Sequence, residues 1–249
     1  MVQNTQKIRA GQTYCVYLKG KACGGAFVDK YCHRFFILRL FNGLKPFQVE
    51  LHSYTLLANE VYLLVTPTSS TGLDCLIRSV RNSYTKYFQE RYERESSPLA
   101  KSMSVSRVVG SQLILDCQKY IERRVLDTGI RQHAGAYEWS SYSANSFGCR
   151  SGFVSPHVTF VNYLKERESP YKHYREYIST PFMGNYLSFI DSKVRSGKDL
   201  TRRRVPLTSP IVKKRIVKKR PVKALIGAKG VIDKQRATES KSGSQGALI

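Results

Sequence analysis

The order of strand-like and helix-like segments predicts an α/β sandwich with a central, mostly antiparallel sheet, in the sequence β-α-β-β-α-β-α. A C-terminal helical extension and a disordered basic tail follow it. Three observations carry this. Runs of β-branched and aromatic residues recur at 13–20, 47–57, 60–67 and 102–109. Apolar residues at helical spacing fill stretches between and after them. Two of the runs are separated only by Ala58-Asn59, a link so short that it must join antiparallel neighbours.

Taken in order, "TYCVYLKG" (13–20) reads as the first strand and ends in glycine. After Gly24-Gly25, Asp29 is placed to cap a helix, "DKYCHRFFILRLF", that stops at Asn42-Gly43. "FQVELHSYTLL" (47–57) and "EVYLLVTP" (60–67) form a hairpin. On the second of these strands Glu60 and Tyr62 share a face, because alternate residues point the same way. Leu73, Leu76, Ile77, Val80, Tyr84, Tyr87 and Phe88 mark an amphipathic helix edged by Arg78, Arg81 and Arg91. "SMSVSRVV" (102–109) alternates as a strand. Gly110-Ser111 then opens a helix with Leu113, Ile114, Cys117 and Ile121 as its stripe, ending at Asp127-Thr128-Gly129. A further helical region runs to about residue 197. The expected division is a core domain at 1–150, the extension at 151–197 and a flexible tail at 198–249.

Charge narrows the partners. The net charge is +23; residues 201–249 hold 14 Lys/Arg against 2 Asp/Glu, and the remainder 27 against 16. A field of this sign favours a polyanion, most often nucleic acid. The tail repeats IVKKR in tandem and lacks the apolar periodicity that builds a core. Hydrophobic content of 41% excludes a wholly disordered chain, and no apolar run is long enough for a membrane helix. With no apolar segment at its start, the protein is expected to be cytoplasmic and nucleoid-associated, with no membrane partner. The six cysteines have no CxxC spacing and read as reduced, small hydrophobes.

Three stretches taken together carry a family resemblance: "VELHSYTLLANEVYLLVTP" (49–67), "CQKYIERRVLDTGI" (117–130) and "AYEWSSYSANSFG" (136–148). In order and spacing they resemble the single-tyrosine, HUH-type transposases of the insertion-sequence and REP-associated kind, and the likeness extends over about residues 10–195. The resemblance implies single-strand DNA cleavage by a tyrosine that forms a 5′-phosphotyrosine link. It also implies a divalent metal held by two histidines on one strand face and by an Asn or Gln one helical turn after the tyrosine. Carried over residue by residue, the nucleophile position falls on Tyr120, the histidine positions on Glu60 and Tyr62, and the third ligand position on Arg124.

None of those three ligand positions holds the expected residue type. Glu60 is a hard oxygen donor, Tyr62 a poor ligand at neutral pH, and Arg124 a permanent cation suited to pairing with Glu60. His52, on the preceding strand, is the one candidate substitute ligand. Asp116, one helical turn before Tyr120, is a candidate base. Two readings follow. In the first, the chain binds single-stranded or hairpin DNA as monomer or homodimer, needs no cofactor, and has an inactivated nuclease site. In the second, it is an active transposase that holds Mg²⁺ or Mn²⁺ through Glu60 and His52. The expected DNA contacts are Arg78, Arg81, Asn82 and Lys86 on the amphipathic helix, Arg123 and Arg124 beside the tyrosine, and the tail cations Arg202, Arg203, Arg204, Lys213, Lys214, Arg215, Lys218, Lys219 and Arg220.

Overall fold

A computed structural model describes residues 7–21, 25–149 and 151–201. The tail cations named above, Arg202 to Arg220, therefore lie outside the described residues. The order of elements is β1 (Tyr14–Gly20), α1 (Lys30–Leu44), β2 (Val49–Leu57), β3 (Glu60–Pro67), α2 (Gly72–Tyr92), β4 (Leu99–Arg107) and α3 (Ser111–Asp127). This matches the order expected from sequence. The short α4 (Tyr142–Phe147) and then α5 (Val158–Lys165), α6 (Pro170–Ser179) and α7 (Tyr186–Ser196) complete it.

The sheet runs β2-β3-β1-β4, and every neighbouring pair is antiparallel. Local chemistry sets several of its borders. Asp29 caps α1 by accepting from the Cys32 amide at 2.8 Å. Ala58-Asn59 closes the β2–β3 hairpin, with Leu57 opposite Glu60. Gly20 ends β1 where its amide donates to the Asn59 carbonyl at 2.8 Å. A Cβ there would run into the Asn59 side chain and the Ala26 Cβ, so a larger residue would have to displace them.

Alternation assigns each strand residue to one of two cores. Val16, Leu18, Val61, Leu63 and Val65 face α1 and α2, where Phe36, Leu40, Leu76, Tyr84 and Phe88 close over them. Cys15, Tyr17, Tyr62 and Leu64 face α3 and the C-terminal helices. In β2 the parity changes at His52. Val49 and Leu51 lie on the first face, but so do Tyr54 and Leu56, because the register shifts between Leu51 and Ser53.

The helix α3 lies between the sheet and α5–α7, and every residue from Leu113 to Val125 is buried. A single apolar stripe was the expectation; burial on all sides instead forces its polar residues to find partners inside the protein. The outer edge of β2 is covered by the W-S-S-Y stretch. The Leu56 amide donates to the Trp139 carbonyl at 2.9 Å, the Tyr54 amide to Ser141 Oγ at 2.9 Å and the Ser141 amide to the Tyr54 carbonyl at 3.0 Å. Farther along, the Ser155 amide reaches the Leu51 carbonyl at 2.8 Å. The end of α7 is tied to β4, with Ser104 donating to the Arg195 carbonyl and Ser106 to the Lys193 carbonyl.

Candidate functional site

The four positions carried over from the resemblance, Glu60, Tyr62, Tyr120 and Arg124, are brought together on the face of the sheet that meets α3. Tyr62 stands opposite Tyr17 in the β1–β3 register, their ring centroids 5.2 Å apart. Tyr62 donates to Glu60 Oε2 at 2.8 Å, so the shared strand face expected from alternation holds. The Tyr120 ring meets Tyr62 edge-on at 5.6 Å. Arg124, one turn farther along α3, places its guanidinium 5.1 Å from the Tyr62 ring and 5.2 Å from the Tyr120 ring. It reaches Glu60 at 3.8 Å, the ion pair its charge predicts.

Two further residues complete the group, both from α7. Arg195 donates to Glu60 Oε1 at 2.6 Å, to the Tyr17 hydroxyl at 2.8 Å and to the Tyr62 hydroxyl at 2.9 Å. Asp191 accepts from the Tyr120 hydroxyl at 2.7 Å and from Arg195 Nε at 2.9 Å, and Arg124 lies 3.6 Å from it. Sequence reasoning missed both. Their i,i+4 spacing and opposite charge are the only local signal, and many solvent-facing helices carry such a pair.

The electrostatics follow from burial and pairing. Burial opposes the charge on Glu60, but hydrogen bonds from Arg195 and Tyr62 outweigh it and hold the carboxyl below its usual range. Burial, aided by the neighbouring Glu60 carboxylate, pushes the Tyr17 phenol up to about 12. Burial, then the Tyr62 phenol nearby, raises Tyr120 well above an ordinary tyrosine despite the opposing Arg124. Tyr120 therefore stays protonated, and its residue has no exposed surface. A carboxylate accepting from a phenol at 2.7 Å has the geometry of a general base, and that carboxylate is Asp191, with Asp116 committed elsewhere. Asp116 accepts from Tyr177, Tyr186 and Gln112.

The residues at the ligand positions do not fit a divalent metal. Both Glu60 oxygens already accept hydrogen bonds, and two guanidiniums lie within 4 Å of that one carboxylate. Among the described residues, no group of three or more His, Cys, Asp or Glu side chains is placed to hold a metal ion.

His52 does not join this group. It sits beside Thr66, six residues along β3 from Glu60, or roughly 20 Å at the rise of a strand. Its Nδ1 meets the Ser155 carbonyl at 2.7 Å and its Nε2 meets Thr66 Oγ1 at 2.8 Å. The substitute-ligand expectation is thus corrected: both ring nitrogens are committed, Nδ1 to the segment before α5 and Nε2 to Thr66 on β3. Burial holds the imidazole at about 4.

The predicted DNA contacts divide. Arg78, Asn82 and Lys86 are exposed at i, i+4 and i+8 on one stripe of α2, and Arg81 beside them is half-buried. Lys86 has a loose pair with Glu90 at 3.8 Å. Arg123 points inward, which corrects its assignment. Its guanidinium binds Asp127 at 2.8 Å and donates to the Ile178 and Ser179 carbonyls at the end of α6. Arg124 belongs to the buried cluster just described.

The W-S-S-Y stretch has its own partner in Glu122, which is fully buried. Ser141 and Asn145 donate to one of its oxygens at 2.6 Å each, and Tyr174 to the other at 2.7 Å. Thus the two neighbouring motifs, on α3 and before α4, are bonded to each other.

No protein-family profile matches the sequence, and no curated protein matches it. Six solved chains do match in structure. One is a REP-associated tyrosine transposase bound to a REP hairpin. It superimposes with a TM-score of 0.51 at 9% sequence identity, over 64% of this chain and 93% of that one. The chain therefore has a transposase-like α/β fold, and the likeness reaches fold alone.

Proposed function

We propose that this protein is a transposase-like DNA-binding protein that recognises single-stranded or hairpin DNA through a fold whose tyrosine nuclease site is inactivated. The observation that carries this is the engagement of Glu60 by Arg195 and Arg124, where the resemblance expects a histidine ligand. A metal placed there would have to displace two permanent cations. The buried, protonated Tyr120 supports the same reading. Binding is supported by the hairpin in the matched structure, by the exposed cations of α2 and by the +23 charge. No helix among the described residues is long and apolar enough to cross a membrane.

One feature favours a working tyrosine, namely the Asp191 carboxylate within hydrogen-bond reach of the Tyr120 hydroxyl. A single experiment separates the readings. Hairpin DNA is titrated with protein at several salt concentrations, and parallel samples with Mn²⁺ are run under denaturing conditions. The expected outcome is salt-sensitive binding with no covalent product. Absence of binding at low salt removes the DNA reading. A covalent adduct that vanishes in Tyr120→Phe establishes an active enzyme instead.

A further inference from the structure

The guanidinium of Arg195 is surrounded by oxygens from three elements. Nη1 donates to Glu60 Oε1 at 2.6 Å and to the Tyr17 hydroxyl at 2.8 Å; Nη2 donates to the Tyr62 hydroxyl at 2.9 Å; Nε donates to Asp191 Oδ2 at 2.9 Å. These are the lengths of charge-assisted hydrogen bonds. Its plane also lies 5.0 Å from the Tyr17 ring. An isolated surface salt bridge does not look like this. Two carboxylates and two phenols from β1, β3 and α7 converge on one cation, and each is used.

We propose that the structure contains an oxygen-lined cation site formed by Glu60, Asp191, Tyr17 and Tyr62, and that Arg195 is its resident cation, a positioning residue that fastens α7 to the sheet. The charge balance supports this. Glu60 and Asp191 supply two negative charges, and Arg124 and Arg195 supply two positive ones. Without Arg195 the site carries net negative charge, two uncompensated phenol oxygens and a space the size of a guanidinium. Such a set suits guanidinium itself, whose fork matches the four acceptors, whereas Arg124, still beside both carboxylates, disfavours a divalent ion. The chain therefore keeps a cation site and fills it with its own side chain. This holds whether or not the protein binds hairpin DNA, so a failed DNA-binding experiment leaves it standing.

The test uses the full chain with Arg195→Ala. Fastening of α7 by Ser104, Ser106 and the Tyr120–Asp191 bond remains, so the variant is expected to fold. Its Tm should fall by on the order of 5–10 °C, because one partner of a half-buried ion pair is lost. Low-millimolar guanidinium chloride, matched against sodium chloride, should recover part of the loss. Wild type should not respond. Arg195→Lys should lie between, since an ammonium supplies the charge without the fork. Amide exchange over 186–196 should accelerate in Arg195→Ala alone. The proposal is overturned if Arg195→Ala melts with wild type, if guanidinium raises both proteins equally, or if rescue persists in Glu60→Gln/Arg195→Ala. Should Arg195→Ala fail to fold, Arg195→Lys decides: a Tm equal to wild type would show that a point charge suffices and no forked site exists.

Discussion

Replacing Tyr120 with phenylalanine removes one oxygen from a residue with no exposed surface, and so isolates what the hydroxyl contributes. That hydroxyl donates to Asp191 at 2.7 Å. A hydrogen bond to a charged partner is worth about 1.5–3 kcal/mol. Here the loss is smaller, because the Asp191 side chain is 30% exposed and keeps Arg195 at 2.9 Å and Arg124 at 3.6 Å. Water and the two cations recover part of the interaction, leaving about 1–2 kcal/mol. For a domain of this size that corresponds to roughly 2–8 °C in Tm. Urea and thermal unfolding measure it, and hairpin titration with denaturing gels is run on the same samples. The expected result is a less stable protein with unchanged DNA affinity and no adduct in either form. If Tyr120→Phe is as stable as wild type, or if it abolishes an adduct that wild type forms, the hydroxyl serves chemistry and the structural reading fails.

Other outcomes follow from the same geometry. Ser141→Ala should destabilise by about 2–3 kcal/mol in urea, since it removes a donor to buried Glu122 and leaves the Tyr54 amide without its acceptor. His52 has a folded pKa of about 4, below its unfolded value, so its stabilising contribution is present above pH ~6.5 and is lost as pH falls from there toward 4. The full contribution approaches ~3 kcal/mol. Unfolding at a series of pH values should therefore show a flatter acid limb in His52→Gln than in wild type, and parallel limbs would exclude His52 as the cause. Arg78→Ala and Lys86→Ala should each lower hairpin affinity at all sequences and reduce the salt slope by about 1, whereas a steep slope retained in the double variant would put the contacts elsewhere.

Much of the fold was legible because local rules set it. The Asp29 cap, the Ala58-Asn59 turn, the alternation in β3 and the stripe on α2 each depend on residues a few positions apart. Glu60, Tyr62, Tyr120 and Arg124 were legible as one group through the resemblance, and the charge on Arg124 foretold its pair with Glu60. The rest of the site was hidden by distance along the chain. Arg195 lies 135 residues from Glu60, and nothing in the periodicity of 186–196 says which layer that helix covers. The inward turn of Arg123 and Asp116 was hidden for a related reason. Because α3 is covered on both sides, its polar side chains are drawn into internal bonds that sequence spacing does not reveal. His52 was read from type alone, while the bulge at that position and its Thr66 neighbour decide its role.

The cover over the outer edge of β2 has a consequence for assembly. An unpaired border strand is a template on which another chain can add a strand, the usual route to edge-to-edge aggregation. Here residues 139–141 and 155 already occupy amides and carbonyls of Leu51, Tyr54 and Leu56. A partner that approached by strand addition on this side would first have to peel away the segment that also binds Glu122. Growth of the sheet at this border is thereby coupled to unfolding of its own interior, which makes the edge self-terminating.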